Sequence, residues 1–314
     1  MKKSKILISI LVLAAVISLP MVFLGGCNNN ASTQQVLFNE AYKIWTDRSG
    51  KETLSYDVMS GDNNIGTYVM TGENITAKTV SVGGEELEGR TGLYFTSRLD
   101  VTEIKDGKSV RTVMTTQSLL STSFVVEKSY RKTQISITDD SGTDIQTTEI
   151  NGSYDDKKYH YTVKQTSDDE NIKDENGTLS HSKFASTAYI DNDFMYQAVR
   201  LLAAVGSNLS FQVPYYNYTD GVFSTVTMEK VASSVTANNT SITNLRGDFA
   251  LPEDSEIVYT GSLLSISLSR SFPGSGTAFT CYVLSAKTNP ADNTQNEKYS
   301  TVPAKIKEGD IEYI

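Results

Sequence analysis

The sequence predicts a mainly β fold: a curved antiparallel sheet or half-barrel, with one covering helix at about 191–205 and a short helix near the N-terminus. Three observations carry that expectation. Apolar residues recur with period two over most of the chain beyond Thr53, the spacing of half-buried strands. Those runs are rich in Thr, Val, Ile and Tyr, which suit a pleated surface. Pairs such as Asp106-Gly107, Asn151-Gly152, Asn176-Gly177 and Asp220-Gly221 fall among the runs, and such pairs supply the positive φ angles of tight hairpins. A sheet with one apolar face and a helix with one apolar stripe bury both surfaces if the sheet wraps the helix.

The first segment is an address. Lys2, Lys3 and Lys5 precede an apolar run from Ile6 to Leu24 that ends in Gly25-Gly26-Cys27, the parts of a secretory signal. Leu24-Gly25-Gly26-Cys27 resembles the bacterial lipobox. The resemblance implies a signal peptide over 1–26, a thioether-linked diacylglycerol and palmitate on Cys27, and Cys27 as the mature N-terminus. An uncleaved membrane helix is the alternative, since the run is long enough to span a bilayer. In both cases the lysines stay in the cytoplasm and the body is extracytoplasmic. Two acyl chains anchor stably where one chain holds only marginally.

Residues 27–35 read as a lipidated tether, polar and without periodicity. Over 36–47, Leu37, Ala41, Ile44 and Trp45 fall at helical spacing, which predicts a short amphipathic helix. Alternation then takes over: Leu54, Tyr56, Val58; Leu93, Phe95, Leu99, Val101; Ile135, Ile137; Tyr159, Tyr161, Val163. Residues 53–180 therefore predict a meander. In the helix that follows, Asp191 or Asp193 caps a segment whose stripe is Phe194, Ala198, Leu201, Leu202 and Val205, and Gly206 stops it. Strands are expected again at 222–229, 234–245, 257–268 and 277–284. Residues 286–314, with Asn289-Pro290 and many polar positions, predict a loosely held tail with one short strand near 299–302. The body is thus a single β-rich domain over 36–285.

Composition excludes several function classes. The chain of 314 residues has net charge −9; the first 27 residues hold three of its basic groups and none of its acids, leaving 25 basic against 37 acidic beyond them. An acidic body is no partner for nucleic acid, which needs a basic face, nor for electrostatic adhesion to anionic membranes. With Cys27 acylated, Cys281 has no disulfide partner, and its place between Phe279 and Val283 reads as a buried, inert thiol.

Chemistry is scarce. Of the two histidines, His160 falls on the polar side of a strand and His181 in a loop, so no catalytic residues are expected. The acidic runs at Asp139, Asp140 and Asp144, and at 168–175, lack the spacing of a calcium loop, so no metal and no cofactor is expected. Pro214-Tyr215-Tyr216-Asn217-Tyr218 is the densest aromatic cluster and a candidate binding edge. The candidate ligand-binding residues are Phe194, Ala198, Leu201, Leu202, Tyr215 and Tyr216.

Glu52-x-Leu54-x-Tyr56-x-Val58 with Gly66-Thr67, Ser97-Arg98, and Tyr196 and Arg200 within 191–200, resembles uncharacterised bacterial export families grouped with the lipoprotein-carrier fold of the Lol system. The resemblance covers about residues 50–230 and implies a half-barrel whose concave side, covered by helix, shelters acyl chains. It brings no catalytic residues. The expected function is a membrane-anchored, non-enzymatic lipoprotein that binds a hydrophobic ligand or a lipoprotein partner; the alternative is an envelope module that binds protein or glycan without a cavity.

Overall fold

The computed structural model describes residues 51–122, 125–155, 158–168, 170–180, 196, 209–216, 221–241, 258–271, 279–284 and 303–314. Fourteen strands run through them: β1 (Lys51–Ser60), β2 (Asn63–Val82), β3 (Glu85–Lys105), β4 (Lys108–Ser121), β5 (Val126–Asp139), β6 (Gly142–Tyr154), β7 (Lys158–Ser167), β8 (Glu170–Ser180), β9 (Leu209–Tyr216), β10 (Gly221–Ser241), β11 (Val258–Ser271), β12 (Phe279–Leu284), β13 (Pro303–Glu308) and β14 (Ile311–Tyr313). They form one open antiparallel sheet in the order β8-β7-β6-β5-β4-β3-β2-β1-β14-β13-β12-β11-β10-β9. The chain starts in the middle, meanders outward to β8, crosses to the opposite edge at β9, and meanders back to meet its own beginning. Parts of β8 and β10 approach within 8 Å between Cα atoms, so the sheet curves toward closure.

The expected meander over 53–180 is β1 to β8. Its ladders fix which residues share a face, because the side-chain period is two. Leu54, Met70, Ser97, Thr116, Arg131, Ile150 and Val163 form one row across β1 to β7, and Tyr56, Tyr68, Leu99, Met114, Thr133, Thr148 and Gln165 form the next. This is the inner face. Leu54, Val58, Met70 and Leu93 on it are almost fully buried, each such side chain contributing on the order of 1.5–3 kcal/mol. The outer face is largely polar: Arg111 donates two bonds to Asp100, at 2.9 and 2.8 Å, and Arg98 a third at 3.0 Å. The Arg111 bond foremost holds the Asp100 carboxyl below the ordinary aspartate range.

A second, smaller core lies on that outer face. Register shifts in the β2–β3 ladder between Ile75 and Val80 bend the long hairpin, as β-bulges do. Its far end packs Ile75, Val80, Val82 and Leu87 against Leu119, with Tyr94 and Tyr130 alongside. Gln117 Oε1 accepts from the Gly83 amide at 2.8 Å, and Tyr94 donates to the Ser81 carbonyl at 2.7 Å.

Several expectations are revised. Asp106-Gly107 is the β3–β4 turn, with positive φ at both residues. Asn151-Gly152 and Asn176-Gly177, expected as turns, lie inside β6 and β8. The reason is space for aromatic rings: a Cβ on Gly177 would stand 2.3 Å from Tyr161 Cζ, and one on Gly152 2.4 Å from Tyr159 Cε2. A strand glycine there marks close approach, not a bend. The segments expected separately at 222–229 and 234–245 join as β10, with a register shift between Lys230 and Ser234. The expected tail is largely the reverse: β13 and β14 lie in the middle of the sheet, between β12 and β1. Tyr313 pairs with Val58, and Ile314 exchanges backbone bonds with Asp57 at 2.8 and 3.0 Å. Polar composition misled there because strands paired on both edges need only one apolar face, supplied by Ile306 and Tyr313. The helix expected at 36–47 and the strand at 299–302 fall outside the described residues.

If Gly177 makes room for a ring, Gly177→Ala lowers the stability of the soluble domain by about 1–3 kcal/mol in chemical denaturation. Asn176→Ala, which would matter as much in a turn, changes it by less than about 0.5 kcal/mol. Equal losses from the two substitutions would refute the assignment.

Candidate functional site

The connection from β8 to β9 runs over 28 residues, 181–208, and must carry the chain from one edge of the sheet to the other. Near its midpoint stands Tyr196, the one described residue of the expected 191–205 helix, and it is helical. Its ring packs on Tyr68 edge-on, with centroids 5.8 Å apart and planes at 83°, and on Tyr313 at 5.8 Å. Tyr68 meets Tyr313 at 5.3 Å and Tyr56 at 6.1 Å. Such aromatic pairs contribute about 0.5–1.5 kcal/mol each beyond their burial.

Two hydroxyls of this cluster are anchored. Tyr196 donates to Glu308 Oε2 at 2.8 Å, and Tyr56 to the Pro303 carbonyl at 2.7 Å. Burial, with the Glu308 charge next in weight, raises the Tyr196 phenol well above the ordinary tyrosine range, so it stays a donor. Burial also raises the Tyr313 phenol. The cluster draws on β1, β2, β13, β14 and the crossing segment, and fixes the crossing to the inner face at its centre.

Beyond the tyrosines the inner face forms a trough along β3, β4 and β5. Its closed end is the row Phe95, Ser118 and Ser129, all buried, with Glu52 at the same level of β1. The next row is polar: Ser97 and Thr116 share a hydrogen bond of 2.7 Å, and Arg131 continues the row on β5. Burial then falls toward the β3–β4 and β5–β6 turns. Leu99, Met114, Val101, Val110, Ile135 and Ile137, all on the inner face, are each only half-buried. With Thr112 and Thr133 on the same rows, this is a mainly apolar mouth at the turn end of the sheet.

The sequence-derived candidates relate to this site unevenly. Phe194, Ala198, Leu201 and Leu202 lie outside the described residues, as does Cys27. Tyr215 and Tyr216 end β9, the edge strand, paired with Val222 and Gly221. In the order of the sheet that strand stands six places from β1. Cys281 lies on β12 opposite Ile306 and Ile266. His160 is exposed, within 2.9 Å of Asp155 Oδ2 and 3.1 Å of Thr178 Oγ1. Of the acidic runs, Asp139 bonds Ser141 and Lys108, and Glu175 pairs with Lys173 at 2.6 Å. Tyr68, Glu308 and Tyr313 were missed. The signal for Tyr68 was its alternation with Met70; Glu308 and Tyr313 were hidden in a segment read as tail.

Removing the Tyr196 hydroxyl tests the central fastening. Tyr196→Phe keeps the ring contacts and leaves Glu308 without its donor, so the soluble domain loses about 1.5–3 kcal/mol in urea unfolding. Tyr56→Phe, which removes a bond to a neutral carbonyl, loses about 0.5–1.5 kcal/mol. A Tyr196→Phe domain as stable as the parent would show that the fastening contributes nothing.

No protein-family model and no curated protein sequence matches this chain. Among solved structures the chain is similar to a beta-barrel-like protein of the domain of unknown function DUF1849 from Brucella abortus, with 12% identity over 85% of this chain and 94% of that one and a TM-score of 0.45.

Proposed function

We propose that this chain is an extracytoplasmic lipoprotein, held to a bacterial membrane by a diacylglyceryl group on Cys27, whose half-barrel binds a hydrophobic ligand or an acylated partner protein. It is not an enzyme. The observation that supports binding is the fall in burial along one apolar trough, from Phe95 at the closed end to Val110 and Ile137 at the mouth. From Met114 to Val110 the mouth is about 14 Å long, at about 3.4 Å per strand residue. One leaflet of a bilayer core, half of about 30 Å, has the same length. An acyl chain of ordinary length therefore fits along it. The half-exposed apolar side chains gain by being covered, at about 25 cal/mol per Å².

A second reading has one observation in its favour: Tyr196 already fills the space over Tyr68 and Tyr313. In that reading the body is an interaction module, with the Tyr215–Tyr216 edge meeting protein or glycan.

One pair of chains separates the readings. The full-length chain should incorporate an alkynyl palmitate in growing cells, and Cys27→Ser should not. The soluble domain, freed of signal and lipid and purified from cells, should carry a bound apolar molecule in native mass spectrometry. Label on the Cys27→Ser chain would remove the anchor, and a domain of bare polypeptide mass would favour the module reading.

A further inference from the structure

The open end of the trough has a charge pattern that its apolar lining does not explain. The turns β1–β2, β3–β4, β5–β6, β7–β8 and β13–β14 all lie at this end, as the registers Ser60 with Asn63, Lys105 with Lys108, Asp139 with Gly142, Ser167 with Glu170 and Glu308 with Ile311 place them. In or beside those turns Asp62, Asp106, Asp140, Asp144, Glu170 and Asp310 are exposed. Lys105 and Lys108 stand among them, but Glu103 already meets the first at 2.8 Å and Asp139 the second at 2.7 Å. The rim is therefore acidic around an apolar mouth.

The two properties share one row. Glu103, Val110, Ile137 and Asp144 are direct cross-strand neighbours on the inner face, so two carboxylates flank two aliphatic side chains, Glu103 being the one shared with Lys105. At about 4.8 Å between strands the carboxylates are about 14 Å apart. That separation equals about four residues of extended peptide. An anionic membrane surface is repelled by such a rim. A second copy of this chain, itself acidic, is repelled too.

We infer that the open end of the trough is a docking site for an apolar, lysine- or arginine-bearing segment of a partner polypeptide. Its aliphatic residues cover Val110, Ile137 and their half-buried neighbours, and its cations face Asp144 and the β3–β4 turn carboxylate Asp106. This rests on the trough being a binding surface and adds the chemistry of the partner. Oppositely charged rims act mainly on encounter and selection, while the covered apolar area holds the complex.

The test uses the soluble domain, folded and carrying its full sequence from Asn28. Three probes are offered: a fluorescein-labelled peptide with a lysine on each side of a Leu-Val-Leu core, its glutamate counterpart, and a fluorescent fatty acid. Anisotropy should show the lysine peptide bound at least tenfold more tightly than the glutamate peptide at low salt. Raising salt to about 1 M, where the screening length is about 3 Å, should remove most of that preference. Asp106→Asn with Asp144→Asn, both at exposed positions, should weaken the lysine peptide about three- to tenfold. Those substitutions should not weaken the fatty acid, whose own carboxylate the rim repels. Equal affinity for the two peptides, no binding of either, or preference for phosphatidylglycerol vesicles overturns the inference. Fatty acid bound without peptide leaves the trough a ligand site and refutes the docking site alone; peptide bound without fatty acid does the opposite.

Discussion

The junction of β1 with β14 is the constraint on which the rest depends. Two meanders, one leaving the centre of the sheet and one returning to it, meet along only three paired residues, Val58 to Ser60 against Tyr313 to Ile311. Two backbone bonds between Asp57 and Ile314 extend the ladder. That is little backbone to join eight strands to six. The side chains above the junction make up the difference: Tyr56 and Tyr68 from one meander, Tyr313 and Glu308 from the other, and Tyr196 from the crossing segment bonded to Glu308. One cluster thus closes the chain on itself and fastens the crossing over the inner face.

The trough opens away from that cluster. Tyr196 packs on Tyr68 and Tyr313, in the part of the inner face where the apolar side chains of β1, β2 and β14 are almost fully buried. Three strands further on, toward the β3–β4 and β5–β6 turns, the equivalent rows are half-covered. The lining there is mainly aliphatic, with Met114, Thr112 and Thr133 among the side chains.

How legible this was in the sequence depends on the range of the interactions. Alternation in β1 to β8 was plain, because period two is local and one face is buried along its length. Asp106-Gly107 was readable because an I′-like turn demands positive φ at both residues. Asn151-Gly152 and Asn176-Gly177 were misread because the same dipeptide serves two purposes. Only the neighbouring strand, with Tyr159 or Tyr161 lying over the glycine, decides which. The C-terminal strands were hidden for a related reason. Residues 303–313 have few apolar groups, and their place in the sheet is set by partners about 250 positions away in the chain, as the Tyr56 bond to Pro303 shows. Within the site, Tyr196 stood out in sequence only through a resemblance, and its partner Glu308 not at all.

The claim that the inner face, and not the outer, meets the ligand can be tested with adjacent residues. Met114 faces the trough, and Val113, one position before it, faces the polar outer side. A photoreactive benzoylphenylalanine placed at each position in the full-length chain, in living cells, samples the two faces with the same probe. Illumination should yield a covalent adduct with an apolar ligand or partner from position 114 and none from position 113. An adduct from 113 alone, or from neither, would contradict the account.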